Sequence, residues 1–425
     1  DLTVQTLNVF PDSDEACSAC YELMRVCMEE LHEQRIVNES AALFTAVNHS
    51  IGNAVAVVLS NGKTSAQLTK SDANVVLLLN ALLLCKCLMP LCEECAECEN
   101  LVKGIVNALE AYRALKDAIL LAMEVLSLMT KYNCVNTMWE NDVLSVILLY
   151  FHKYDSAEFV YASCVIIDAF SVEASYADSL VMNEVPAAVL LMMKQYEKEA
   201  DVVHRCVRIM SNLLQFVSIV ATQLEEVLKV ATRVVKVDTC SEEAIIDTFI
   251  LYRNAATNPA DYASLISSQN VVETTARILE RDMKKKSIVA AALEALVACT
   301  MAIECHLQMA TPEGIQTLQK VMTMYKKSEL ALYAGALEVL NNLAVNKSMT
   351  HSVLTEAIVR LALEALGVLR EEEKYLVIVL SLITRLQDLD SKDRFKDDLL
   401  KESVIETCVF ALQNYTQGEM IHFCC

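Results

Sequence analysis

Apolar residues recur along this chain with two superimposed periods, one of a few residues and one of about 43. A register can be anchored on apolar positions whose successive spacings are 41, 42, 42, 44, 44, 43 and 46 residues, namely Val102, Val143, Val185, Val227, Val271, Ile315, Ile358 and Val404. After most anchors, further apolar residues fall near four and seven or eight positions on, which is the spacing of one helical face. The pattern predicts a helix with one buried face in every repeat.

A second apolar row lies at a fixed offset from the first and predicts a second helix in each repeat. Its members are 41 to 45 residues apart, namely Leu128, Ala169, Leu213, Ala255, Ala298, Leu343 and Leu386. A helical pair of this length cannot bury its apolar face alone, so neighbouring repeats are expected to stack into a solenoid.

Three of these second-row helices carry a similar tetrapeptide. The tetrapeptides are Ser211-Asn212-Leu213-Leu214, Arg253-Asn254-Ala255-Ala256 and Asn341-Asn342-Leu343-Ala344. They resemble the "(S/N)-N-L-A" ending of the third helix in armadillo repeats, and Val185-Pro186 resembles the "G-I-P" opening of the second armadillo helix. Most repeats lack the glycine that the family places between helices one and two, which moves some of them toward HEAT-like or degenerate forms.

The period and the resemblance together predict an all-α fold, an armadillo/HEAT-like right-handed α-solenoid of about eight to nine repeats. Residues 1–100 are expected to form degenerate N-terminal capping repeats. Residues 101–425 are expected to form the armadillo-like array, as one continuous solenoid.

In peptide-binding armadillo proteins the motif asparagine lines a groove and holds the backbone of an extended peptide. The resemblance assigns that role to Asn212, Asn254 and Asn342, and a carboxamide suits it because it both donates and accepts hydrogen bonds. The alternative, an asparagine that satisfies a helix end or a neighbouring loop, is equally open. The intervening helix carries Val297 at the matching place, so the row would lack one member.

Nuclear-import receptors of this family carry a tryptophan one helical turn before that asparagine. The matching residues here are Arg208, Ile250 and Glu338, and the only tryptophan, Trp139, lies outside the row. A receptor that holds lysine side chains between indole rings is therefore not expected. Arg208 stays a candidate for contacting a protein partner.

Composition narrows the classes of protein further. The chain holds only 7 Gly and 5 Pro in 425 residues, too few for the turns that sheets need. Its longest apolar stretch, Val75–Leu84, is interrupted by Asn80 and falls short of the roughly 20 residues of a membrane span. Ser60–Thr64 ends like a phosphate-binding loop, but Val57 occupies the place of the required first glycine. No known catalytic motif was found, so we predict no enzymatic activity.

Charge argues against one partner class and points to another. The net charge of −21 disfavours nucleic acid, which needs a basic surface. Cations nevertheless recur where the first packing helix of each repeat ends, most densely at Lys284, Lys285 and Lys286. These lysines are candidate contacts for an acidic protein partner. The alternative is that they only complement the negative ends of helix dipoles.

The chain contains 17 cysteines, most at apolar helical positions, which favours reduced, buried thiols in the cytoplasm. The densest run lies within Cys85–Cys98 and offers Cys92, Cys95 and Cys98 as candidate ligands for a metal. Four glutamates around these thiols would raise the thiol pKa values, which opposes that role. We predict no cofactor. The terminal pair, Cys424 and Cys425, resembles a prenylated tail.

These features predict a non-catalytic scaffold or adaptor that binds other proteins, as an extended peptide or a folded subunit. A place in a large cytoskeletal or ciliary assembly in the cytoplasm is expected by analogy of fold alone. Two alternatives stay open: a solenoid regulator or chaperone that clasps one folded client, such as a GTPase, and a metalloprotein that uses the cysteine run.

Overall fold

A computed structural model describes residues 40–60, 72–89, 98–151, 153–237, 240–326, 328–399 and 402–415 of the chain. The chain divides into two compact units, Asp1–Ile209 and Met210–Cys425, and each is described by itself. Helices and turns account for the regular structure, and no strand occurs among the described residues. The all-α prediction is therefore confirmed.

The N-terminal unit is built from α-helices. In chain order these are α1 (Ser40–Ser60), α2 (Ala73–Leu88), α3 (Cys98–Ala111), α4 (Lys116–Met129), α5 (Val135–Glu140), α6 (Val143–Phe151), α7 (Ala157–Ser171), α8 (Ala174–Met182), α9 (Val185–Gln195) and α10 (Ala200–Phe216). Helix α10 crosses the division between the two units.

The C-terminal unit continues in the same manner. Its helices are α11 (Ala221–Val235), α12 (Glu242–Thr257), α13 (Ala263–Ser268), α14 (Val271–Arg281), α15 (Lys286–Cys299), α16 (His306–Met309), α17 (Pro312–Tyr325), α18 (Leu330–Leu343), α19 (Thr350–Val353), α20 (Glu356–Leu369), α21 (Glu373–Leu389), α22 (Lys396–Leu399) and α23 (Glu402–Asn414). Short 3₁₀ segments, Ile303–Cys305 and Lys347–Met349, lead into α16 and α19.

Most repeats contain three helices rather than the two predicted from the apolar rows. A short first helix precedes the two long ones, as in the series α5, α6 and α7. The short helices escaped detection because four to nine residues are too few to establish a period. We call α4, α7, α10, α12, α15, α18 and α21 the third helices.

The joint between the first and second helices explains how repeats manage without the family's glycine. Asp142, Glu184 and Asn270 stand there with φ angles of 57°, 58° and 53°. This left-handed conformation costs an L-residue roughly 1–2 kcal/mol, and asparagine and aspartate tolerate it best. At these joints, residues other than glycine therefore adopt the backbone angle that glycine would supply.

Several long helices begin at a side-chain cap. Ser156, Ser241, Thr311 and Thr355 each accept a hydrogen bond from a backbone amide in the first turn of the helix that follows. Such caps satisfy donors that the helix leaves unpaired and are worth about 1 kcal/mol each.

Tyrosine hydroxyls of several second helices donate hydrogen bonds to backbone carbonyls in or just after the second helix of the preceding repeat. In the N-terminal unit, Tyr150 donates to the carbonyl of Leu109 at 2.6 Å. In the C-terminal unit, Tyr325 donates to the carbonyl of Met283 at 2.7 Å. Burial raises the pKa of Tyr150 to about 12, as expected for a phenol closed off from water. The sequence register did not reveal this contact.

The described cysteines behave mostly as small buried hydrophobes. The Cys164 and Cys206 thiols lie 3.8 Å apart inside the N-terminal unit, and their mutual hydrogen bond and burial raise the pKa of Cys206. Burial also raises the pKa of Cys305 to about 11. Cys134 departs from the expectation of reduced thiols, since it is disulfide-bonded.

Candidate interaction groove

The third helices α12, α15, α18 and α21 of the C-terminal unit line a groove of about 590 Å³. On α15, the lining side chains include Ala290, Leu293, Glu294 and Val297, whose spacing places them on one helical face. Met301 lies at the end of this face and is 75% exposed. The α15 side of the groove is therefore largely apolar.

Small residues keep the α18 side of the groove open. Ala331, Ala334 and Gly335 all line it. A Cβ atom on Gly335 would stand 3.4 Å from the Leu293 side chain, at ordinary van der Waals contact, so α15 and α18 pack closely here. The opposite wall comes from α21 through Tyr375 and Ile378.

Two carboxylates face this groove in different electrostatic states. Glu294 is paired with Arg253, whose Nη1 lies 2.6 Å from Glu294 Oε2. Glu338 is half-buried on α18 and has no hydrogen bond or ion pair to any residue that the structure describes. Burial raises the pKa of Glu338. The groove therefore holds one neutralised carboxylate and one carboxylate without a counter-charge.

The expectation of a free amide group is wrong for Asn254. Its side chain is only 5% exposed, and its Nδ2 donates to the Ser211 carbonyl at 2.9 Å and to Ser211 Oγ at 3.2 Å. Its Oδ1 accepts a hydrogen bond from Arg253 Nε at 3.3 Å. A buried carboxamide must be satisfied internally, and the helix one repeat earlier supplies the partner.

The same arrangement recurs at the matching positions of later third helices. Asn342 Nδ2 donates to the Val297 carbonyl at 3.1 Å and to Thr300 Oγ1 at 3.2 Å, so its amide is not free either. In α21 the matching residue, Arg385, donates to the Asn341 carbonyl at 2.6 Å. This row of side chains fastens consecutive repeats to one another.

In the N-terminal unit, Asp168 of α7 stands at the matching position and is 4% exposed. It accepts from Arg205 Nη1 at 2.9 Å, and Arg208 Nε lies 3.3 Å from its Oδ2. Arg208 is therefore engaged within its own unit, but its side chain stays 40% exposed, so its contact with a protein partner stays a prediction. Asn212 is half-buried on α10.

The single tryptophan has a structural place. The rings of Trp139 and Tyr176 are stacked with centroids 4.0 Å apart, which joins the short first helices α5 and α8.

The lysine loop is partly neutralised by neighbouring carboxylates. Lys285 Nζ lies 3.0 Å from Asp282 Oδ1, and Lys286 Nζ lies 2.6 Å from Glu329 Oε1, one repeat later. Lys284 is exposed and forms no ion pair within the described part of the chain. The loop is thus less basic than its sequence indicates.

The cysteine run lies largely outside the described residues. Cys92 and Cys95 fall in the undescribed segment 90–97, and Cys98 begins α3 without a described side chain. The phosphate-loop-like segment beyond Ser60 and the terminal pair Cys424 and Cys425 also lie outside. No group of three potential metal ligands was found among the residues that could be searched.

Sequence reasoning named the third helices as the binding surface but missed most of the groove's lining. Of the lining residues, the sequence pattern included Arg253, Glu338, Val297 and Ala298, because they fall on or beside the motif. The signal that could have found the rest is the run of small residues at Ala331, Ala334 and Gly335.

Comparisons with known proteins define the class of fold. No protein-family model matches this chain, and no curated protein matches its sequence. A crystal structure of an engineered protein is similar over 98% of this chain and 100% of its own, with a TM-score of 0.64 and 14% identity. A crystal structure of computationally designed armadillo repeat proteins for modular peptide recognition covers 57% of this chain and 99% of its own, at 13% identity and a TM-score of 0.48.

The second of these similarities is too low to carry an argument, and the first shows the fold alone. With the three-helix repeats described above, the chain is an armadillo/HEAT-like α-solenoid. The number of repeats, the handedness and the boundary at residue 100 stay predictions. None of the described helices is both long and apolar enough to cross a membrane.

Proposed function

We propose that this chain is a non-catalytic scaffold that binds an extended segment of a partner protein in the groove along α12, α15, α18 and α21. The observation that supports this most is the groove itself, with its small-residue floor and exposed apolar rim. Four third helices about 10 Å apart span about 30 Å, which an extended chain covers in about nine residues.

Binding would depend on contacts with the side chains of the bound segment more than on hydrogen bonds to its backbone. The amide nitrogens of Asn254 and Asn342 already donate to neighbouring repeats, so they are not available to hold a peptide backbone. Apolar contacts with Val297 and Met301 would then supply much of the affinity. We expect modest affinity, because part of the gain is lost to ordering the segment.

For the place of action, we propose the cytoplasm and a cytoskeletal or ciliary assembly, which rests on analogy of fold alone. Co-sedimentation with filaments would support this. A stoichiometric soluble complex with one folded protein would instead favour the client-clasping alternative. Lys284 is the member of the lysine loop that we would test as a second contact for an acidic partner.

The groove can be tested by selecting binders from a displayed library of random peptides of about twelve residues, using the full chain as bait. Ala331→Trp fills the groove from an exposed position on α18 and should abolish binding of the selected peptides in fluorescence anisotropy. Ala221→Trp adds the same side chain at an exposed position of α11 and should leave binding intact. Failure to select any peptide, or equal binding by Ala331→Trp, would refute the groove.

A further inference from the structure

The Glu338 carboxylate is in an unusual setting for this chain. Two other carboxylates of the third helices have cations beside them: Asp168 has Arg205, and Glu294 has Arg253. Glu338 has no ionic partner among the described residues, although it is half-buried in an apolar groove. A carboxylate held this way gains strongly from any cation that enters, because partial burial weakens the screening by water.

The other charged groups near the groove do not pair with Glu338. Arg253 is committed to Glu294 at 2.6 Å. On the α21 wall, Lys374 Nζ lies 4.4 Å from the centroid of the Tyr375 ring and is not within ion-pair distance of Glu338. The raised pKa of Glu338 has burial as its cause, with no neighbouring charge contributing. The net charge of the whole chain, −21, adds to the attraction for a cation.

We infer that the segment bound in this groove carries a lysine or arginine that pairs with Glu338, flanked on both sides by apolar residues. This rests on the proposed peptide-binding function and specifies its partner. The flanking contacts are Val297 on α15 and Tyr375 and Ile378 on α21, all of which are partly exposed. Since third helices lie about 10 Å apart, each apolar residue should stand about three positions from the cation.

The Arg253–Glu294 ion pair further defines the sequence expected of the bound segment. Because these side chains neutralise each other beside α15, the part of the segment that passes them needs no charge. The groove therefore selects for one central cation rather than a run of basic residues. A polybasic segment would leave cations next to Leu293 and Met301, where they lose hydration without gaining a partner.

The test compares the peptides that different variants of the full chain select from the random library. Wild-type chain should enrich peptides with one Lys or Arg between apolar residues. Glu338→Gln should lose that enrichment and bind wild-type-selected peptides about three- to tenfold more weakly, the range for a partly buried ion pair. Glu338→Lys should instead enrich Asp or Glu. Glu371→Gln removes the same charge from an exposed turn outside the groove and should change nothing.

The outcomes separate this inference from the proposed function. Peptides that Ala331→Trp blocks but that show no Lys or Arg preference would overturn the role of Glu338 and leave the groove in place. The same holds for a basic preference that persists unchanged in Glu338→Gln. Peptides whose binding Ala331→Trp does not affect would overturn the groove itself. Unfolding curves for each variant establish that the fold is intact.

Discussion

Two acidic residues on third helices, one in each unit, illustrate two uses of the same surface. Asp168 is buried and held by Arg205 and Arg208, so its charge is satisfied inside the N-terminal unit. Glu338 is half-buried and has no such partner among the described residues of the C-terminal unit. The first contact stabilises the stack of repeats. The second has no ionic partner among the described residues, and its partial burial opposes folding slightly.

The comparison teaches that the third helices are not uniformly a binding surface. Where side chains reach the neighbouring repeat, as at Asn254, they fasten the solenoid. Where small residues such as Gly335 open the surface, the same helices line a groove. Side-chain length and local pairing decide which role a position takes.

The largest expected effect is at Asp168. Asp168→Ala should lower the free energy of unfolding by about 2–3 kcal/mol, since it removes a buried ion pair whose arginines can still reach water. Urea denaturation followed by circular dichroism measures this. A loss below about 0.5 kcal/mol would show that Asp168 is no more structural than Glu338, and the comparison would fail.

Asn254→Ala should come next, with a loss of about 1–2 kcal/mol, because it leaves the Ser211 carbonyl without its buried donor. This result would show that the C-terminal unit also uses a polar side chain at this position of the third helices to hold its repeats together. Asn342→Ala, at a half-exposed position, serves as the matched variant and should cost less. If Asn254→Ala weakened peptide binding without destabilising the chain, the fastening role would be wrong.

A substitution at Glu184 is expected to raise the free energy of unfolding rather than lower it. Glu184→Gly should raise the free energy of unfolding by about 0.5–1 kcal/mol, since glycine adopts the observed φ of 58° without strain. Glu184→Ala keeps the strain and is the control, which should give no gain. Thermal unfolding of the wild-type chain and of both variants measures this difference. Equal stability of the two variants would mean that the joint carries no strain.

The smallest expected change in stability is at Glu338. A raised folded-state pKa means that the charged carboxylate opposes folding, and this cost appears as pH rises through that pKa. Glu338→Gln should therefore be slightly more stable at neutral pH, by less than about 0.5 kcal/mol because the group is half-exposed. The difference should fade in acid. A clear loss of stability at neutral pH would indicate an undetected structural partner.

Periodicity alone was sufficient to predict the helical repeats and their stacking. Apolar faces such as that of Ile358, Ala362 and Leu366 repeat at helical spacing and are buried as expected. The short first helices were missed because segments such as Val135–Glu140 are shorter than two turns. The groove was only partly predictable: small residues such as Ala331 and Gly335 are a weak signal, because the sequence does not show whether a small helix residue faces a groove or a neighbouring helix.

The sequence by itself determined the fold class, because a solenoid needs only a repeated apolar face and short connections. It also determined which positions are polar within each third helix, including Asp168, Asn254 and Glu338. Only the tertiary structure decided what those groups do. Whether a polar side chain is satisfied depends on what the helix about 42 residues away presents to it, and that distance in sequence carries no local signal. Asn254 meets the Ser211 carbonyl, whereas Glu338 meets an open groove.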